Sequence, residues 1–312
     1  MKLEFDGGTA GAIHTRPRDV AVRGETDVLQ EVMLCRPTYL EAVPCCSVTR
    51  ESLGSGFRPS VAEATRQHMI LEAILEANGV TTRMMPAQPG LADACFARDC
   101  SVMTPWGLLG LNPAAPHRQQ EPLQALQFAR AQHLPIVGSI EVGTVEGGDV
   151  CIARDGLLIV GYSDERTSER GADAVCELFA AAGWKTMTYR FDPHFLHLDT
   201  QFCMVDEDLA LACVDVLHDD FLDAVSAKGI ELVPVSYKEA RRLGCNLLAL
   251  GNRRVIASNS SPRVAKELRR RGVVVETVDV SQFEACGGGI HCLTMPISRR
   301  ARQASPHRSN AI

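Results

Sequence analysis

The sequence predicts an α/β fold in which small repeated units share one closed core, and three observations lead there. Short apolar runs, punctuated by tight turns rich in Gly, Asp and Asn, alternate with stretches of helical periodicity. The same order of strand, turn, strand, helix, glycine and strand returns along the chain. Hairpins begin roughly every 45 to 50 residues, the period at which repeats signal a propeller, solenoid or array. A unit that small cannot close a core alone, whereas a ring lets every copy bury its sheet and helix without end caps.

Taken in order, residues 1–27 are polar, glycine-bearing and without periodicity, which predicts a loose arm. Residues 31–35 read as a buried strand stopped by Arg36-Pro37, and a polar loop punctuated by Gly and Pro follows over 41–59. Apolar residues near three-and-four spacing (Ala64, Met69, Ile70, Leu71, Ile74, Leu75) predict a helix over 61–78, closed by Asn78-Gly79, with a strand at 80–85.

The next unit has a hairpin over 101–111 turning at Pro105-Trp106-Gly107, a helix over 121–133 and a strand at 136–137. In the third, strands 149–152 and 157–160 flank Arg154-Asp155-Gly156, ahead of a helix over 168–182 and a strand at 185–189. The fourth repeats this with strands 202–205 and 209–213, helix 219–228 and strand 230–234. The fifth does so with 246–250, 255–258, 262–271 and 273–278. Cys292 then opens a last strand, and the composition of 299–312 predicts a flexible tail, leaving 28–298 as a single domain.

The totals exclude several classes of function. Of 312 residues, 46% are hydrophobic and 22% charged, as expected of a globular protein. A net charge of -6 and a pI near 5.9 argue against a partner with a phosphate backbone. No apolar run has signal-peptide or membrane-spanning length, so a cytoplasmic location without membrane contact is expected. The 12 cysteines should then stay reduced; they lack paired C-x-x-C spacing, and vicinal Cys45-Cys46 makes a poor ligand set, so neither a metal nor a cofactor is expected. A homo-oligomer is left open.

If the units are radial, residues at or just before the first strand of each unit meet near the axis. The least ordinary polar groups fall there: Arg98-Asp99, Glu146-Gly147-Gly148-Asp149, His197-Leu198-Asp199 and Gly288-Gly289-Ile290-His291-Cys292. Each alone has a plain reading as an ion pair, a turn, a hydrogen-bonded core histidine or a small buried hydrophobe. Recurrence at one phase of the repeat favours a shared site. A thiol needs a base or a nearby positive charge to act as a nucleophile, and a histidine can protonate a leaving group and then deprotonate water. Acids beyond those that orient the histidine repel anions and suit a planar cation such as a guanidinium.

These stretches, with Phe96-Ala97-Arg98-Asp99, Asp164-Glu165-Arg166-Thr167 and His197-Leu198-Asp199-Thr200, resemble the guanidino-group-modifying enzymes. That superfamily comprises arginine deiminases, dimethylarginine dimethylaminohydrolases and amidinotransferases. The resemblance spans residues 96 to 292 and implies a five-bladed α/β propeller, the pentein fold. It further implies that Cys292 attacks the guanidinium carbon to give a covalent amidino-thioether, with His197 as general acid and base and Glu146 orienting it. Asp99 and Asp199 would grip the guanidinium nitrogens and Arg166 the substrate's α-carboxylate, with Arg98 counted among the binding residues.

Subclass signals are mixed. Asp199 resembles the deiminase and amidinotransferase pattern, whereas residues 164–172 resemble the dimethylaminohydrolase stretch, and the chain has no room for the extra helical domain of typical arginine deiminases. The combination implies a hydrolase of arginine or an Nω-substituted arginine, with amidino transfer as the alternative. A non-catalytic arginine-binding module is the reading from another class.

Overall fold

Two-residue turns between buried strands fold the chain into five three-stranded sheets, described over residues 20–302 in a computed structural model. Each sheet pairs two strands antiparallel and adds a third in parallel, and a parallel join needs a long crossover, which a helix supplies. The first sheet holds β1 (Val28–Cys35) and β2 (Thr81–Met85), joined through α1 (Ser47–Gly54) and α2 (Val61–Ala77). The second is β3 (Ser101–Thr104), β4 (Gly107–Gly110), α3 (Glu121–Ala131) and β5 (Ile136–Ser139). The third is β6 (Val150–Arg154), β7 (Leu157–Tyr162), α4 (Glu169–Ala180) and β8 (Lys185–Arg190).

The fourth is β9 (Phe202–Asp206), β10 (Leu209–Cys213), α5 (Asp219–Ser226) and β11 (Glu231–Val235), followed by the short α6 (Tyr237–Ala240). The fifth is β12 (Leu248–Gly251), β13 (Arg254–Ser258), α7 (Pro262–Arg270) and β14 (Val274–Val278). Two single-turn helices, α8 (Ser281–Glu284) and α9 (Ile290–Leu293), lead to β15 (Met295–Arg300). β15 pairs antiparallel with β1, from Val28 opposite Arg300 to Met33 opposite Met295. The last strand thus completes the first sheet and closes the ring, giving a five-bladed α/β propeller.

Burial explains the strand sequences. Every residue of β3, β4, β9 and β10 is buried, and their near-continuous apolar runs suit strands covered on both faces. The third strands are more exposed, as in β5 and β8. Neighbouring blades touch through their hairpins, β15 on β3, β6 on β9, β9 on β12 and β12 on β1, so the hairpins surround the axis. Among the described residues no helix is long and apolar enough to cross a membrane.

Four expectations are corrected. The loop expected over 41–59 contains α1, whose N-cap is Cys46: its Sγ accepts the Thr49 amide at 3.4 Å, a role sequence rules reserve for Ser, Thr, Asp or Asn. The described end of the arm is packed: Val22, Glu25 and Thr26 are buried and the Glu25 amide donates to the Ile152 carbonyl at 2.8 Å. Residues 1–19 lie outside the described residues.

The boundary expected after 298 falls inside β15, because buried Arg299 donates to the carbonyls of Asp27 at 2.7 Å and Ala249 at 2.8 Å. Arg302 is held by Asp206 and the Thr26 carbonyl, and residues 303–312 lie outside the described residues. Cys292 sits on α9 rather than on a strand, because the Leu293 amide closes a helical turn onto the Gly289 carbonyl at 3.0 Å.

Candidate active site

One local device recurs where the chain enters the hairpins. Single helical turns at Gly147–Asp149 and Leu198–Thr200, and α9, stand just before β6, β9 and β15. Each presents side chains at the start of its strand. The glycines permit close approach there. Gly287 has φ 92°, which an L side chain resists, and a Cβ on Gly288 would lie 2.3 Å from the Phe96 ring. A Cβ on Gly289 would lie 2.6 Å from Asn246 Oδ1, and one on Gly148 would lie 2.5 Å from His197 Nδ1, so the imidazole rests on bare backbone.

Cys292, His197, Glu146, Asp99, Asp199 and Arg166 are all buried, and Asp99 acts electrostatically on both Cys292 and His197. The Cys292 Sγ lies 3.5 Å from Asp199 Oδ2 and accepts the Asn246 side-chain amide at 3.2 Å. His197 Nε2 meets Glu146 Oε2 at 2.9 Å, and its Nδ1 lies 3.8 Å from Asp99 Oδ1. Two buried atoms, His197 Nδ1 and Asp199 Oδ1, have no hydrogen-bond partner among the described residues. A buried polar atom left so costs about 1–3 kcal/mol, and native folds tolerate few without a functional reason.

The charges set the protonation states. Burial raises Glu146, but Arg166, His197 and Arg118 outweigh it and hold the carboxyl well below its ordinary range. Burial pushes Asp149 up to about 7, while its Oδ1 accepts the Leu198 amide at 2.7 Å. Burial, then Asp199 and Asp99, push the Cys292 thiol well above its ordinary range, so it is a neutral thiol beside acids.

Burial alone favours a neutral His197 ring, but Asp99, Asp149 and Glu146 overcome it and push the imidazolium up to about 10. A raised histidine contributes stability that is complete below its ordinary value of 6.5 and lost as pH rises through about 10. Thermal melts from about pH 6 to about pH 10 should therefore show the wild type losing more Tm than His197→Asn over that window. Parallel curves would contradict the charged ring.

Two expected residues are placed otherwise than expected. Arg98 does not join the carboxylates around the sulfur: its Nε donates to the His291 carbonyl at 3.2 Å and its Nη1 lies 3.4 Å from Glu25 Oε1. Its amide donates to the Cys292 carbonyl at 3.1 Å, so it braces the turn that carries the thiol. Arg166 sets Nε and Nη2 on Glu146, at 3.0 and 2.9 Å, leaving Nη1 with the Cys45 carbonyl at 3.4 Å.

Two residues at the cluster, Arg118 and Asn246, went unsingled in the sequence. Arg118 reaches Asp99 Oδ2 at 2.7 Å and Glu121 at 2.7 Å, and nothing in its Pro-His-Arg turn announces this. Asn246 precedes β12 at the same phase as Asp99 before β3, and its Oδ1 accepts the His291 amide at 2.9 Å; that phase was its signal. His291 Nδ1 donates to Asp199 Oδ2 at 2.8 Å, tying the residue before the cysteine to the acid beside it.

Comparison with known proteins identifies the family and the fold. The family model described as N,N dimethylarginine dimethylhydrolase, eukaryotic, matches residues 50–299. An uncharacterized Bacillus subtilis (strain 168) protein, YkgA, is 28% identical over 277 residues, 89% of this chain and 94% of that protein. The N(G),N(G)-dimethylarginine dimethylaminohydrolase of Pseudomonas aeruginosa is 25% identical over 239 residues, 76% of this chain and 90% of that enzyme. In fold, the chain resembles SxtG, an amidinotransferase from Microseira wollei, with a TM-score of 0.77 at 17% identity over 92% of this chain and 99% of that one. The chain belongs to the N,N dimethylarginine dimethylhydrolase family and, with it, to the guanidino-group-modifying enzymes of pentein fold.

Proposed function

We propose that this protein hydrolyses the guanidinium of arginine or an Nω-substituted arginine through a covalent intermediate on Cys292, releasing citrulline and ammonia or an amine. The observation that supports the reading is a buried thiol beside Asp199 and a buried, charged imidazole beside Asp99, with one atom of each of His197 and Asp199 unpaired. A flat cation beside Asp199 supplies the partner that its Oδ1 lacks, while Asp99, already held by Arg118, adds negative charge. The cation's positive charge also opposes the acids that, together with burial, keep Cys292 protonated.

As the cation binds, the thiol releases its proton to solvent, Sγ adds to the guanidinium carbon, and the bond to the leaving nitrogen breaks as His197 hands that nitrogen its own proton. The neutral imidazole next takes a proton from water, whose oxygen attacks the same carbon. Cleavage of the C–S bond regenerates the thiolate and frees citrulline. Glu146 keeps the ring oriented and charged for the first half, and the remaining Nη1 of Arg166 suits the substrate's α-carboxylate.

The experiment is a product assay over arginine and its mono- and dimethylated forms, with and without an amine acceptor. Citrulline should form in buffer alone. Ornithine formed only in the presence of acceptor would mean amidino transfer instead, and binding without any product would mean a non-catalytic module.

A further inference from the structure

Among the described residues the Cys292 sulfur has two side-chain partners, the acid Asp199 at 3.5 Å and the neutral amide of Asn246 at 3.2 Å. We propose that Asn246 is a catalytic residue: its Nδ2 donates the hydrogen bond that holds the Cys292 thiolate while the guanidinium carbon is attacked, and again when the C–S bond breaks. The role rests on Cys292 being the nucleophile.

The amide can face the sulfur in one sense only. Its other end meets two backbone donors, the amides of His291 at 2.9 Å and Cys292 at 3.5 Å, so that end is the oxygen and the nitrogen is turned to Sγ. The contact therefore favours charge on the sulfur. A donor binds a thiolate more strongly than a thiol, so a fixed N–H works against the burial and the carboxylates of Asp199 and Asp99 that favour the neutral form. Asp199 cannot take this part, because an ionised carboxylate only accepts.

The chain is built to hold the amide there. Asn246 is 1% exposed, and a Cβ on Gly289 would lie 2.6 Å from its Oδ1, so only glycine lets the side chain splint the turn that carries Cys292. Its own turn is strained. The Asn246 amide donates to the carbonyl of Leu243 at 3.0 Å, and Leu243, buried and bearing a full side chain, has φ 58°. Left-handed backbone at such a residue persists where the surrounding contacts impose it, and it gathers at functional sites. Wholly buried β12 follows and anchors the turn in the ring.

The test compares wild type with Asn246→Asp and Asn246→Ala, each checked for folding by circular dichroism. Aspartate keeps an oxygen for the two backbone amides but offers the sulfur an acceptor in place of the donor; alanine removes both. Without substrate, iodoacetamide followed by peptide mass mapping should alkylate Cys292 at least about tenfold more slowly in Asn246→Asp than in wild type at the same pH, since losing the donor raises the thiol pKa. With arginine, kcat should fall about 10²–10³-fold in both variants while KM stays within about threefold, because binding rests on other groups. Should aspartate prevent folding, the alanine variant still decides. Unchanged alkylation in Asn246→Asp, or in either folded variant a loss confined to KM, would overturn the role. Wild type that never carries an amidino group on Cys292 would remove the nucleophile and this role together, whereas wild type that carries it beside variants that turn over normally would overturn Asn246 alone.

Discussion

Replacing Cys292 by serine lowers turnover by about 10⁴-fold or more while substrate binding persists. The sulfur is buried between Asp199 and Asn246 and has no stand-in within the cluster, since His291 turns its ring to Asp199. A serine hydroxyl fits the same space, yet it is a poorer nucleophile: the carboxylate beside it, Asp199, is too weak a base to activate a hydroxyl, and His197 is charged. Binding rests on Asp99 and Asp199, which the substitution leaves in place. Steady-state kinetics with calorimetric binding of the substrate checks both halves; full turnover in the serine variant would refute the nucleophile.

Loss of the imidazole in His197→Ala costs about 10²–10⁴-fold in turnover. The variant removes the proton donor to the leaving nitrogen and the base for water, but it does not strand Glu146. Arg166 holds that carboxylate through two nitrogens, so the buried charge keeps a partner and the ring should still fold. Circular dichroism and thermal melting separate a folding defect from a chemical one. Near-normal turnover in a folded variant would remove His197 from the mechanism.

Much of the ring was legible in the sequence because its hairpin strands are buried on both faces and write themselves as unbroken apolar runs closed by Gly, Asp or Asn. The phase of polar residues before each first strand brought Asp99, Glu146, His197, Asp199 and Cys292 together ahead of any coordinates. Several features left weaker traces. A cysteine cap on α1 breaks no hydrophobic period, and the glycine run before Cys292 marks close approach without telling a helical turn from a strand. Basic residues at the carboxy-terminal end read as solvated, yet Arg299 and Arg302 are taken up by carbonyls and by Asp206 at the end of the ring, partners that sequence spacing does not reveal.

Arg98 shows the limit of phase as a guide. It occupies the expected position beside Asp99, but its side chain runs to Glu25 and to the His291 carbonyl on a turn far away in sequence. Arg118 shows the converse: it stands outside the repeating phase, and only the packing of its turn delivers it to Asp99.

Mass spectrometry of wild-type enzyme quenched in acid during turnover tests the assignment most directly. Peptide mapping should place an added amidino group, bearing the amino-acid remainder of the substrate, on Cys292. An enzyme that forms citrulline while Cys292 stays unmodified at every quench time, or that carries the adduct on another cysteine, would contradict it.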